Sequence, residues 1–286
     1  TFRAMNESKS TEEKGQDEET REIEASAIPF VEGFSTKQPI SLKSYSAAIT
    51  KLEGRDKFTK VMQYGARFFY WFFKNKFPNQ NLAERAYSLY RTTQVSRKAF
   101  RIFKVWEEMG KIQAILEAKK QIDFADKILI SRSLCMGAFW TFDNLNYFTI
   151  TKIYNFGRER AMKGFSRSWT IACLLMIVLA FNRLSLTING QEQIIQKLKE
   201  AESLEEKEKL SSELTKMKSD HFKNCLTLLK AVMDLICSTN MSGVDIPLKL
   251  TGQKLNDGII GASGVISALV TIYGCWPDKP KIALKV

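Results

Sequence analysis

An all-α, membrane-associated helical bundle with amphipathic helices and about two transmembrane helices is the fold class that this 286-residue sequence predicts. Three observations predict it. Proline is scarce, at 6 residues, while Ala, Leu, Lys, Glu and Ile fill long segments, which favours helices over strands. Residues 258–277 hold 20 positions without a charge, close to the ~20 apolar residues that carry a helix across a bilayer. Residues 95–111 place apolar and basic side chains on opposite helical faces. Mean hydropathy is -0.21, so a few spans with large interfacial or water-facing parts fit better than a chain embedded throughout.

Residues 1–25 carry 4 Lys/Arg and 8 Asp/Glu. Polar, acidic and poor in apolar groups, they lack the side chains to build a core alone. Residues 26–50 are interrupted by Pro29, Gly33 and Pro39 and turn helical near Ser44. Residues 51–77 begin with charge and become aromatic, with Phe68, Phe69, Tyr70, Trp71, Phe72 and Phe73 in succession. Six consecutive rings point all round a helix, and a membrane interface is where such a belt is buried.

Residues 82–120 read as one amphipathic helix. At 100° per residue, Val95, Ala99, Ile102, Phe103, Trp106 and Met109 form an apolar stripe. Arg97, Lys98, Arg101, Lys104 and Lys111 lie opposite. Phe100 and Val105 stand on the polar side. Trp and Phe against Arg and Lys is the arrangement that lies in a headgroup layer. It marks Arg97, Lys98, Arg101, Lys104, Phe103 and Trp106 as candidate lipid-binding residues.

Residues 121–157 hold a shorter uncharged stretch bounded by Arg132 and Asp143. This is a buried or interfacial helix, and an Asp so placed needs a partner. Arg158, Arg160, Lys163 and Arg167 then precede an apolar run with 15 uncharged residues before Arg183, a short span whose arginines snorkel to the interface. Residues 189–221 are charged and free of Pro, a solvated helix or helical hairpin. Residues 222–236 continue as an amphipathic helix, and Gly243, Pro247 and Gly252 break the chain before the last span. In that span Gly258, Gly261 and Gly264 share one face, so another helix approaches closely there. Asn256 and Asp257 stand at its start as caps.

Basic flanks before Trp169 and after Pro277 fall on one side of a two-span hairpin, which is the positive-inside arrangement. The formal net charge of +12 is concentrated in residues 51–120, with 16 Lys/Arg against 6 Asp/Glu. Such a region binds phosphate. Its Phe and Trp neighbours point to anionic phospholipid and away from nucleic acid.

Catalytic chemistry has little to work with. There is one histidine, His221, so His-based triads and metal sites are out of reach. The five cysteines contain no C-x-x-C pair and imply no disulfide framework. The glycine spacing lies inside an apolar helix rather than at a strand-to-helix turn, so it is no dinucleotide fingerprint. No cofactor, metal site or enzymatic activity is expected.

Four segments, in order, carry a resemblance. They are Leu52-Glu53-Gly54-Arg55-Asp56-Lys57 with Met62-Gln63-Tyr64-Gly65-Ala66-Arg67; Val95-Ser96-Arg97-Lys98-Ala99-Phe100-Arg101-Ile102-Phe103-Lys104; Phe142-Asp143-Asn144-Leu145; and residues 255–267, closed by Trp276-Pro277. Together they resemble the peroxin-eleven family over roughly residues 48–278. The resemblance implies an all-helical peroxisomal membrane protein without catalysis, which elongates membrane, self-associates and recruits fission machinery. It also implies that the second segment is the family's amphipathic helix, inserting into one leaflet. The chain departs from the family in its acidic extension and its long charged middle.

Three regions are therefore expected: an acidic extension at 1–47, a helical membrane domain at 48–278 and a basic tail at 279–286. The expected function is non-enzymatic shaping or elongation of organelle membrane. The chain opens on Thr1 rather than Met, which also suits a subunit processed after import. The alternative expectation is thus a structural subunit of a large mitochondrial inner-membrane complex, contacting neighbouring subunits and cardiolipin.

Overall fold

A computed structural model of the protein describes residues 42–276. The acidic segment 1–25, most of the expected extension, and the tail with Pro277, Lys279, Lys281 and Lys285 lie outside the described residues. Within them the chain is helical without strands. Its helices are α1 (Leu42–Thr50), α2 (Leu52–Asn75), α3 (Gln80–Ala99), α4 (Val105–Ala118), α5 (Phe124–Ile150), α6 (Arg158–Glu200), α7 (Leu204–Thr239), α8 (Ile246–Thr251) and α9 (Asp257–Cys275).

The ends of these helices follow from local chemistry. The Asn79 side chain accepts from the Leu82 amide at 3.0 Å and starts α3, just after Pro78. Asp123 and Asp126 form a reciprocal capping box at α5, which satisfies two orphan amide donors. Ser203 caps α7, and Asn256 caps α9 by accepting from the Ile259 amide at 2.9 Å. Asp257, the other cap expected there, instead pairs with Arg67 of α2 at 2.6 Å.

The helix expected over 82–120 is broken. Residues 100–104 are turn between α3 and α4, and Phe103 takes a left-handed backbone with φ 62°. An L-residue with a bulky side chain pays steric energy there, so the surrounding packing must hold it. The charged stretch after Arg183 proves to be the arms of a hairpin. α6 runs on to Glu200, α7 returns from Leu204, and Ile194, Ala201, Leu210 and Leu214 fill the tip.

Helix α2 packs between α3 and α9, while α6 packs between α5 and α7, and α7 also meets α9. The α2–α9 contact is antiparallel and fitted large to small. A Cβ added at Gly258, Gly261 or Gly264 would fall 2.5 Å, 2.6 Å or 2.0 Å from Trp71, Phe68 or Tyr64 respectively. The helix expected to approach the glycine face is therefore the chain's own α2. Close backbone approach through small residues is how helices pair where lipid removes the hydrophobic drive.

Among the described residues two helices are long and apolar enough to cross a membrane, α6 and α9. Only 28% and 39% of their apolar windows are buried within the chain, so most of that surface faces outward. On α6 the outward residues are Ile171, Leu174, Val178 and Phe181. Their spacing of three and four residues makes one continuous stripe, and a stripe of that kind is stable against acyl chains rather than water.

Candidate functional site

The carboxylates of Asp56 on α2 and Asp143 on α5 organise the middle of the molecule. Asp56 is 2% exposed and Asp143 0%. A carboxylate so deep is tolerated only with cations and hydrogen bonds around it. The partners are the cations that sequence periodicity assigns to lipid headgroups. Arg97 donates from Nε to Asp56 Oδ1 at 2.9 Å and from Nη1 to Gln63 Oε1 at 2.7 Å. Lys98 Nζ donates to Asp143 Oδ1. Arg101 Nη2 lies 3.3 Å from Asp143 Oδ2, and its Nε donates to the Arg97 carbonyl.

This corrects the expected role of three residues. Arg97, Lys98 and Arg101 are buried and face the protein's own carboxylates, not a headgroup layer. The cost of burying Asp56 and Asp143 is offset only if these cations turn inward. Lys104 sits between the two conditions, half-buried, with its Nζ 5.2 Å above the Trp140 ring and 3.8 Å from Glu107. Phe103, in the break, and Trp106, at the start of α4, are exposed instead. They are 69% and 71% exposed, and Phe100 joins them at 42%. Sequence reasoning missed Asp56 and Asp143 as the partners. The available signal was Asp143 itself, an acid in an otherwise uncharged stretch.

A second cluster ties α2, α7 and α9. Asp234 Oδ1 accepts from Lys60 Nζ at 2.9 Å and from the Ser267 hydroxyl. Asp234 Oδ2 accepts from Lys230 Nζ at 2.8 Å. Lys60 also donates to Ser267 at 2.8 Å. Burial pushes the Asp234 carboxyl up, but Lys230 and Lys60 more than reverse that and hold it below the carboxylate range. For Asp56, burial is likewise outweighed, here by Arg97, Arg101 and Lys57. Lys57 goes the other way. Burial, with repulsion from Lys60, Lys104 and Lys230 against the pull of Asp56, brings it down to about 8.

Between these clusters lies a cavity of about 970 Å³. It is walled by parts of α2, α3, α4, α5, α6 and α7. Aromatic groups share its lining with the ion pairs. Phe139 packs on Phe165 with ring centroids 4.2 Å apart and on Trp140 at 4.5 Å. His221, the lone histidine, is far from this chemistry in the hairpin, within hydrogen-bond distance of Thr187. All five cysteines are free thiols.

Charge inside and apolar side chains outside define an all-helical membrane protein whose polar groups hold the helices together. The chain belongs to the Peroxisomal biogenesis factor 11 (PEX11) family, whose model matches residues 42–276. It is similar to the "Peroxisomal membrane protein 11 homolog" of Dictyostelium discoideum, at 26% identity covering 82% of this chain and 94% of the relative. It is also similar to "Peroxisomal membrane protein 11C" of Arabidopsis thaliana, at 24% identity over 82% and 91%. A rice relative, "Peroxisomal membrane protein 11-5", shares 26% identity over 82% and 92%. No solved structure matches the chain. Its location is the peroxisomal membrane, in place of the alternative expectation of the mitochondrial inner membrane.

Proposed function

We propose that this protein shapes and elongates the peroxisomal membrane, without catalysis, by setting an aromatic wedge into one leaflet. The observation that carries the reading is the α3–α4 break. Phe100, Phe103 and Trp106 are exposed there, directly behind residues locked to the core through Arg97, Lys98 and Arg101. Aromatic rings favour the headgroup zone, and a rigid mount makes their volume act on the bilayer instead of being absorbed by helix motion. Lys104, just before α4, and Lys111, midway along it, stand near that surface beside Glu107 and Glu108, and their ammonium groups favour anionic phospholipid.

Self-association belongs to the same reading. The glycine face of α9 is filled, so a second copy uses another apolar face, and the α6 stripe from Ile171 to Phe181 offers one. Many copies side by side add their wedges along a tubule.

The experiment is reconstitution of the full chain into vesicles with and without anionic phospholipid, scored for tubules by electron microscopy. The double variant F103S/W106S is expected to insert normally yet lose most tubulation. Equal tubulation by the variant at equal protein density refutes the wedge.

A further inference from the structure

The cavity has far more positive than negative charge. Thirteen Lys and Arg line it against six Asp and Glu. The acids near its centre are already shared. Asp56 serves Arg97, Arg101 and Lys57, and Asp234 serves Lys60 and Lys230. Arg132, reaching in from α5, is half-buried, and the acids around it are already engaged. Its buried Nε has no hydrogen-bond partner, and no carboxylate lies within ion-pair distance of it among the described residues.

Buried polar groups in folded proteins are almost always satisfied, and an exception calls for a cause. A buried guanidinium N–H without an acceptor is a costly exception. Its planar fork is the group best matched to a phosphate or carboxylate. Lys230 and Lys57 line the same cavity, each beside a carboxylate it shares with other cations. The volume is at the upper end of the ~300–1,000 Å³ range for ligand sites, too large for an isolated ion. Phe165, Trp169 and Met176 in the lining suit an apolar portion of the ligand.

We propose that this cavity is a binding site for a phosphate group carried on a larger molecule, with Arg132 as its main ligand and Lys57 and Lys230 beside it. The phosphate neutralises the excess charge that the chain's own carboxylates leave. Two sources have this chemistry, the headgroup of a phospholipid monoester and a soluble phosphate. The site is separate from the Phe103–Trp106 wedge, so its failure leaves the membrane-shaping reading intact, and the reverse also holds.

The test uses the full chain purified in detergent, with short-chain phosphatidic acid, inorganic phosphate and short-chain phosphatidylcholine as probes, followed by thermal shift and calorimetry. Phosphatidic acid is expected to bind saturably and to raise the unfolding midpoint, while phosphatidylcholine does neither. Competition by inorganic phosphate at similar concentration assigns a soluble source, and its failure to compete assigns the lipid headgroup. Arg132→Met is expected to weaken binding at least tenfold while leaving the ligand-free midpoint unchanged or higher, because it removes a half-buried guanidinium whose Nε has no acceptor. Arg132→Lys, which keeps the charge and the fold, is expected to lose the bidentate geometry and weaken binding by less. No binding above the phosphatidylcholine level overturns the proposal, and so does wild-type affinity in both variants.

Discussion

Arg97 and Asp56 sit 41 residues apart in sequence, and in the fold they form a two-point ion pair, Nε to Oδ1 at 2.9 Å and Nη2 to Oδ2 at 3.3 Å. The pair fixes α3 to α2, and through Arg101 and Asp143 the same network reaches α5. Each member exists at its depth only because the other does. Asp56→Asn removes the charge that Arg97, Arg101 and Lys57 share, leaving buried cations uncompensated. Breaking such a pair costs about 3–5 kcal/mol. The expected outcome is a large drop in the thermal midpoint of the detergent-solubilised protein. Replacing both Asp56 and Arg97 by apolar residues is expected to cost less than the two single changes added together, which a double-mutant cycle measures.

The α2–α9 seam gives a steric prediction. At Gly261 any Cβ meets Phe68 backbone, which has no rotamer to escape into. Gly261→Leu is therefore expected to separate α9 from α2, at a cost at or above the ~1–3 kcal/mol of ordinary overpacking. Gly274, on the same helix, has open space around it. Gly274→Ala is expected to leave the protein unchanged. Protease cleavage in the loop before α9 reads the difference, and equal resistance of both variants would show that the seam is loose.

Which parts of this structure were legible in the sequence follows from the range of each signal. The 3.6-residue period groups Phe103 and Trp106 apart from Arg97, Lys98 and Arg101, although the helix it assumes is broken at 100–104. It cannot say which face turns inward, because that depends on carboxylates 41 and 45 residues away. The glycine spacing at 258, 261 and 264 marks a packing face. Its occupant is encoded by Tyr64, Phe68 and Trp71, three large residues at matching intervals on α2, a correspondence visible only once the two helices are paired. The break at Phe100–Lys104 has no Gly or Pro to announce it. On one side of it α3 is tied by ion pairs to α2 and α5, and on the other α4 packs on α5, tertiary contacts that override helix propensity.

Lys57 supplies a prediction about pH. Its ordinary value is 10.5 and its folded value about 8. Between those two values the folded chain has released the proton that the unfolded chain still holds. Unfolding then takes up a proton, so this group's contribution to stability rises with pH across the window and is least favourable below about 8. Competitive acylation with mass spectrometry is expected to show Lys57 reacting as a free amine with a midpoint near pH 8, well below that of exposed lysines. The thermal midpoint of wild type relative to Lys57→Met is expected to climb from pH 8 to pH 10. A flat difference across that range, with an ordinary labelling midpoint, contradicts the burial and repulsion assigned to this side chain.

Phe103 allows stability and function to be pulled apart. Its left-handed backbone, φ 62°, costs an L-residue roughly 1–2 kcal/mol, and its ring is 69% exposed, so the side chain returns little of that energy to the fold in water. Glycine adopts the same backbone without the steric cost. Phe103→Gly is thus expected to raise the thermal midpoint in detergent by a few degrees, on the order of 1 kcal/mol net after glycine's added unfolded-state entropy. In vesicles the same variant is expected to tubulate poorly, because the central ring of the wedge is gone. A purely structural role for Phe103 requires the opposite pair of results, a less stable protein with undiminished tubulation per folded molecule. Strain retained at an exposed aromatic is explained when the ring has work to do at the bilayer, and the two measurements on one variant decide whether it does.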